Sequence, residues 1–321
     1  MTSVGIDLGG TNIRLAVYGD DSQVEPLLHR REAVGAERGP EALVERLSAM
    51  ALEALREAGV EPVGIPVGIG IAAMMRGTEG MVARSPHLHW IDVPFGAMMR
   101  ARLGPELSVV VDNDVNMITY GEWRAGAGVG ARDLLAVYVG TGIGAGLVSA
   151  GQLITGASGC AAELGHVKVV LGEDARPCAC GLRGCVEAYA GGTYLQQRAR
   201  TELAGKARSS ATMLAGGAEH VNPGHLDEAA ASGDAYALEL YAEIAPLLGV
   251  ALANAVTMLN SERLILGGGV LSRTPILREH VLTAFDIATN PPARAAVTVV
   301  EAALGDDAGL VGSALLASRR D

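Results

Sequence analysis

A chain of 321 residues, 49% of them hydrophobic, is long enough for two domains and apolar enough to fill a core in each. A formal net charge of −11 leaves no basic footprint for nucleic acid, so no nucleic-acid partner is expected. Apolar runs are interrupted by Gly or charge before the roughly 20 residues that cross a bilayer, and MTSVGIDLGG lacks the features of a signal peptide; neither a transmembrane helix nor a membrane partner is expected, and the cytoplasm is.

Along the chain, the strand-like VGIDLG meets a turn at Gly9-Gly10-Thr11-Asn12, and alternation resumes at Ile13, Leu15 and Val17, which predicts a hairpin. Residues 40–58 place Leu43, Leu47, Met50, Ala51, Ala54, Leu55 and Ala58 at helical spacing before Gly59 stops the run. PVGIGIA at 66–72 reads as a buried strand. SVVV then ends at Asp112-Asn113-Asp114, whose polar side chains suit the start of a helix from Val115 to about Arg124. A second hairpin is predicted from Leu134, in LLAVYVGTGIGAGLVSAG. Aligning its Gly140-Thr141-Gly142-Ile143 with Gly10-Thr11-Asn12-Ile13 sets strand on strand and turn on turn, as in two related halves facing one cleft. Helices near 186–204, 234–258 and 274–285, strands at 263–269 and near 297–301, and a last helix from about 306 complete the order. It predicts an α/β protein with mixed sheets. The expected domain boundary lies near Asn116, with the last helix returning to the first domain: a small domain of 1–115 plus about 303–321, and a large one of 116–302.

Between Gly165 and Glu187, GHVKVVLGEDARPCACGLRGCVE holds three of the four cysteines and a histidine. His166, Cys178, Cys180 and Cys185 offer one imidazole and three thiolates, a donor set that suits tetrahedral zinc, on a loop that Gly181 and Gly184 allow to turn tightly. A structural zinc site is the favoured reading. Buried thiols and a redox pair are its rivals; clustering with Gly181 and Gly184 weighs against the first, and the C-x-C spacing with a third Cys and a His against the second.

Gly9-Gly10-Thr11 and Gly140-Thr141-Gly142 each follow an apolar strand, so their N–H groups can converge on an anion. Gly267-Gly268-Gly269, also after an apolar strand, could pack against a flat ring. Any one such turn is commonly just a tight hairpin. Three in this order, with Asp7 two residues before the first, point to a nucleotide cleft. The chain lacks G-x-x-x-x-G-K-[ST] and the dinucleotide G-x-G-x-x-G.

Asp7-Leu8-Gly9-Gly10-Thr11-Asn12, Asn113-Asp114, Gly140-Thr141-Gly142-Ile143-Gly144, Glu163-Leu164-Gly165-His166, the segment from Cys178 to Glu187 and Leu266-Gly267-Gly268-Gly269-Val270 together resemble the ordered motifs of the ROK family of repressors, open reading frames and sugar kinases. The resemblance implies the two-domain actin, hexokinase and Hsp70 (ribonuclease H-like) fold, with an inter-domain cleft. It also implies an ATP:hexose 6-phosphotransferase, glucose being the foremost substrate. Asp114 would be the general base, taking the proton from the sugar 6-hydroxyl so that the oxygen attacks the γ-phosphate in line. Asn113, Glu163, His166 and Glu187 would bind ring hydroxyls. One nitrogen of His166 would face zinc and the other the sugar, and zinc would fix the loop that aims Glu187. The three glycine turns, with Asp7, Thr11, Asn12 and Thr141, would hold ATP, and Mg²⁺ would accompany it near Asp7 through water. Asp306-Asp307 reads as a hinge and helix start. By the same analogy the protein is expected to form a homodimer or homotetramer.

Two segments depart from the family pattern. Gly68-Ile69-Gly70-Ile71-Ala72-Ala73-Met74-Met75 lacks the G-x-P-G turn, and His87 in Ser85-Pro86-His87-Leu88-His89-Trp90 stands where an Asn is common. His87 is either a replacement donor or an ordinary surface imidazole. The departures leave open mannose, fructose, allose, N-acetylglucosamine and N-acetylmannosamine as substrates. A sugar-responsive regulator without a DNA-binding domain and a non-sugar ATPase are the rival classes.

Overall fold

The computed structural model describes residues 2–319 except Asp21, Gln23 and Lys206; Met1, Arg320 and Asp321, at the ends of the expected small domain, lie outside the described residues. The chain begins with β1 (Ser3–Leu8), β2 (Asn12–Tyr18), β3 (Pro26–Ala33), α1 (Pro40–Glu57) and β4 (Ile65–Ile71). It continues with β5 (Met74–Arg76), β6 (Met81–Ser85), β7 (Trp90–Val93), α2 (Phe95–Leu103), β8 (Leu107–Asn113) and α3 (Asp114–Ala125). Next come β9 (Leu134–Val139), β10 (Ile143–Ser149), β11 (Gln152–Leu153), α4 (Glu187–Ala190), α5 (Gly192–Ala204), α6 (Ala211–Ala215) and α7 (Pro223–Ala231). The last elements are α8 (Ala235–Leu259), β12 (Arg263–Gly267), α9 (Pro275–Ala288), α10 (Pro291–Ala296), β13 (Thr298–Glu301) and α11 (Ala308–Ala317).

Two five-stranded sheets share one plan. The first runs β3-β2-β1-β4-β8 and the second β11-β10-β9-β12-β13, so third, second, first, fourth and fifth strands recur in the same order. The duplication seen between the turns after Gly9 and Val139 therefore extends to whole sheets. Both sheets are mixed: β1 pairs antiparallel with β2 and parallel with β4, while β12 is parallel to β9 and β13 and β10 is antiparallel to β11.

Two compact units divide the chain. One comprises Met1–Arg132, Gly146–Ala162 and Ala302–Asp321; the other comprises Asp133–Ala145 and Glu163–Glu301. The boundary expected near Asn116 falls inside α3, which stays with the first unit because α11 lies directly on it. A Cβ at Gly312 would collide with the Met117 carbonyl, and one at Gly121 would sit 2.6 Å from the Ala308 oxygen. The buried Glu122 carboxylate strengthens this join, accepting from the N–H groups of Ala127, Ala303 and Leu304 at 2.8–3.1 Å.

Every residue of β4 is buried, since α1 covers one face of the sheet and α11 the other. The α1 face is a continuous apolar layer of Leu43, Leu47, Ala51, Ala54 and Leu55. The α11 face is tighter: side chains at Gly5 and Gly68 would strike the carbonyls of Leu310 and Ser313. In the second unit α8 packs against α4, α7, α9 and α10. Its 25 residues meet the length and composition of a membrane span, counter to the expectation that every apolar run breaks too early; Leu240, Tyr241, Ile244, Leu248, Leu252 and Val256 supply the buried row that explains its apolarity.

Candidate functional site

In the first unit, the parallel strands β1, β4 and β8 deliver Gly9-Gly10-Thr11, Ala72-Ala73 and Asn113-Asp114 to one carboxyl edge, the usual place for ligands in open α/β sheets. Gly9 N–H closes the first turn on the Asn12 carbonyl at 3.0 Å, while the N–H groups of Gly10 and Thr11 make no bond within the described chain. His87 packs on this turn, since a Cβ at Gly10 would lie 2.8 Å from its Cβ. Arg38 donates to the His87 carbonyl at 2.5 Å, which fixes the segment. Asp7 receives Arg14 at 3.0 and 2.6 Å, both on Oδ2, and Arg14 reaches on to the Asp306 carbonyl. Asp306 and Asp307 lie in the 3-10 turn that leads into α11, as a helix start. The Asn12 side chain turns toward β3, accepting from Arg31 at 3.3 Å.

Asn113 caps α3: its Oδ1 accepts from the N–H groups of Val115 and Asn116 at 2.8 and 3.2 Å. Its Nδ2 donates to the Ala73 carbonyl and to Asp114 Oδ1, both at 3.0 Å. All four hydrogen-bonding positions of this amide are thus taken, and in this structure it orients Asp114 instead of standing open to a hydroxyl. Val115 N–H also donates to Asp114 Oδ1 at 3.0 Å, so two donors fix one carboxylate oxygen. Beside them, burial raises the Asp112 pKa, partly offset by hydrogen bonds from Asn116 and the Asn113 N–H.

In the second unit, residues 163–186 contain one 3-10 turn, Leu164–His166, and the isolated bridges Lys168 with Cys185 and Pro177 with Arg183. One ligand atom from each of His166, Cys178, Cys180 and Cys185 lies within 4.8 Å of every other. His166 Nδ1 is 3.7 Å from Cys178 Sγ, and Cys180 Sγ is 3.6 Å from Cys185 Sγ. Tetrahedral zinc with bonds of about 2.3 Å separates its sulfurs by about 3.8 Å, so the quartet fits that ion. Burial pushes the Cys178 thiol up to about 12. Burial also opposes ionisation of Cys180, but hydrogen bonds at Leu182, Cys185 and Cys178, with the Lys168 charge, bring its pKa down. Lys168 Nζ donates to Cys185 Sγ at 2.7 Å.

His166 Nε2 points the other way, 3.9 Å from Glu163 Oε2. Burial raises the Glu163 pKa; His166 opposes the shift and Glu187 adds to it. Glu187 opens α4 and accepts from Ile143 N–H at 2.8 Å, with its other oxygen 3.9 Å from Cys178 Sγ. It therefore ties the cysteine loop to the Gly140 turn.

A cavity of about 510 Å³ in the second unit receives Gly140, Thr141 and Gly269. Of the other expected nucleotide residues, Gly142 lies under the Glu187 carboxylate, where a side chain would collide, and Gly268 (φ +88°) packs on the Val139 backbone at about 2.5 Å from a notional Cβ. Gly267 ends β12, and neither it nor Gly142 and Gly268 is on the cavity wall. The rest of that wall was missed by sequence reasoning: Gly192, Thr193 and Gln196 of α5, Asn222, Pro223 and Gly224 at the start of α7, and Val270 and Arg273 after β12. Asn222-Pro223-Gly224 carried a helix-start signal that could have been noticed; Arg273 carried none.

The ROK family model matches residues 3–320. The chain belongs to the ROK family. It is 32% identical to the glucokinase of Streptomyces coelicolor over 325 residues, covering 99% of this chain and 98% of that one. The Thermotoga maritima glucokinase is 33% identical over 99% of this chain and 97% of its own. A solved ROK glucokinase from Streptomyces griseus, in complex with glucose and AMPPNP, superposes with a TM-score of 0.80 at 31% identity, covering 98% of this chain and 99% of that one. The fold is that of the ROK kinases, within the actin and hexokinase group.

Proposed function

We propose that this ROK protein is an ATP-dependent hexose kinase that converts glucose to glucose 6-phosphate. The observation that carries the chemistry is Asp114: a carboxylate at the carboxyl edge of three parallel strands, with one oxygen fixed by Asn113 Nδ2 and Val115 N–H. It takes the proton of the 6-hydroxyl as O6 bonds to the γ-phosphorus and the bond to the ADP oxygen breaks. Glu163, His166 and Glu187 bind ring hydroxyls, and the cavity at Gly140, Thr141 and Gly269 takes the nucleotide. Asn113 serves by aiming Asp114.

Mg²⁺, accompanying ATP, would supply charge to offset that of the phosphates. Asp7 would hold it through water, with Oδ1, because Arg14 occupies Oδ2. Zinc would be held by His166 Nδ1 and the three thiolates, and when bound it stiffens the loop that carries Glu163 and Glu187. The reading is tested by phosphorus NMR of the product from Mg-ATP and glucose: phosphate on O6 supports it, and phosphate on another oxygen or free phosphate alone refutes it. N-acetylhexosamines are the second reading, left open by His87 standing where the family commonly has an Asn.

A further inference from the structure

The 510 Å³ cavity of the second unit is of a size that holds a nucleotide-sized ligand, and its walls are fixed by backbone bonds. Gly192 and Thr193 N–H donate to the carbonyls of Gly140 and Thr141 at 2.9 and 3.0 Å, which locks α5 to the turn. Val270 N–H donates to the Val139 carbonyl at 2.9 Å, and Thr274 Oγ1 to the Val270 carbonyl at 2.8 Å, which locks the segment after β12 to the strand before that turn. Buried Asp227 of α7 then accepts from Ile276 and Leu277 N–H at 3.3 and 3.1 Å, joining the third wall to the second.

Within this braced frame the lining residues include one formal charge, Arg273, and no carboxylate. Its backbone is held by Val270 at 3.0 Å, while its guanidinium has neither a hydrogen bond nor an ion pair among the described residues. Most other arginines in the neighbourhood of this unit are paired: Arg198 bonds Glu202 and Glu243, Arg278 bonds Glu301, and Arg294 bonds Asp286. An unpaired guanidinium at the wall of a cavity without acidic groups, in a chain of net charge −11, is placed to attract a polyanion.

We infer that Arg273 reads the phosphate chain of the nucleotide in this cavity and supplies the charge-dependent part of its affinity. The inference rests on the nucleotide assignment made above. Arg suits the role because its planar fork bonds two phosphate oxygens at once, which Lys cannot reproduce. The contribution is charge on the bound phosphates, so it appears directly in nucleotide Kd.

The test is calorimetric titration of adenosine, AMP and ADP into the wild type and Arg273→Gln, at low and at physiological salt, with thermal melting to verify folding. Arg273→Gln is expected to weaken ADP roughly tenfold, to weaken adenosine less than about twofold, and to flatten the salt dependence of ADP binding. Arg273→Lys is expected to keep the salt dependence with part of the affinity. Equal losses for adenosine and ADP, or none for either, overturn the inference. A wild type that binds no adenine nucleotide removes the nucleotide assignment itself, and the inference with it.

Discussion

Asp114 and Glu187 are both carboxylates on the first residue of a helix, and they are held in different ways. Asp114 follows an edge strand whose residues Leu107–Asn113 all pair with β4, and it begins a 12-residue helix with the Asn113 cap just before it. Glu187 begins a helix of 4 residues at the end of a loop whose regular structure is two isolated bridges and one 3-10 turn. Strand pairing up to Asn113 and the bonds from Asn113 Nδ2 and Val115 N–H fix the first carboxylate. The second stands on a loop that zinc, held by His166, Cys178, Cys180 and Cys185, would fix, so on the function proposed above zinc dependence falls on Glu187 and its loop and not on Asp114.

The largest expected effect falls on Asp114. Asp114→Asn keeps the hydrogen-bonding oxygen and the cap but loses the base, so kcat should drop by about 100-fold or more while glucose and ADP titrations remain close to wild type. Near-normal turnover would remove Asp114 from its role. Cys180→Ser sharpens the contrast: it should release zinc, detected with a chromophoric chelator, raise the glucose KM roughly tenfold or more, and open the segment 167–186 to limited proteolysis while leaving the first unit resistant. Proteolysis spread evenly over both units would break the comparison.

Glu122 tests the structural side of the same contrast. Glu122→Ala strands the N–H groups of Ala127, Ala303 and Leu304 and should cost about 2–3 kcal/mol in urea denaturation, without altering zinc content. The smallest effect is electrostatic. Because burial raises the Asp112 pKa, the folded protein binds its proton more tightly than the unfolded chain does, so stability falls as pH rises from the ordinary carboxylate value to the raised one. Asp112→Asn keeps an acceptor for Asn113 and Asn116 and should melt higher at neutral pH by roughly 2 °C, an advantage that vanishes in acid. A variant that melts lower at neutral pH contradicts this.

What could be read from the sequence follows from the same physics. The turn after Leu8, helix α1, strand β4 and the cysteine quartet announce themselves through periodicity, glycine and spacing. β3 did not, because PLLHRREA has no apolar alternation: the more buried Leu28, Arg30 and Glu32 alternate with the exposed Leu27, His29, Arg31 and Ala33. The short β5, β6 and β7 strands and α6, α7 and α10 are too brief for a periodic signal. The boundary near Asn116 went astray because glycine contacts between α3 and α11, nearly 200 positions apart, decide where α3 belongs. The expectation of Asn113 at the sugar came from the family resemblance, whereas the helix cap and the two bonds its amide donates are visible only in the folded chain. Arg273 was silent for a similar reason: its significance is that its guanidinium has no partner among the described residues, which only the folded chain displays.

The most direct measurement is ADP release from Mg-ATP by the zinc-replete protein, with a panel of hexoses and N-acetylhexosamines and a control without sugar. The account predicts strong stimulation by glucose and little turnover without it. ADP release that no sugar changes would contradict the kinase assignment.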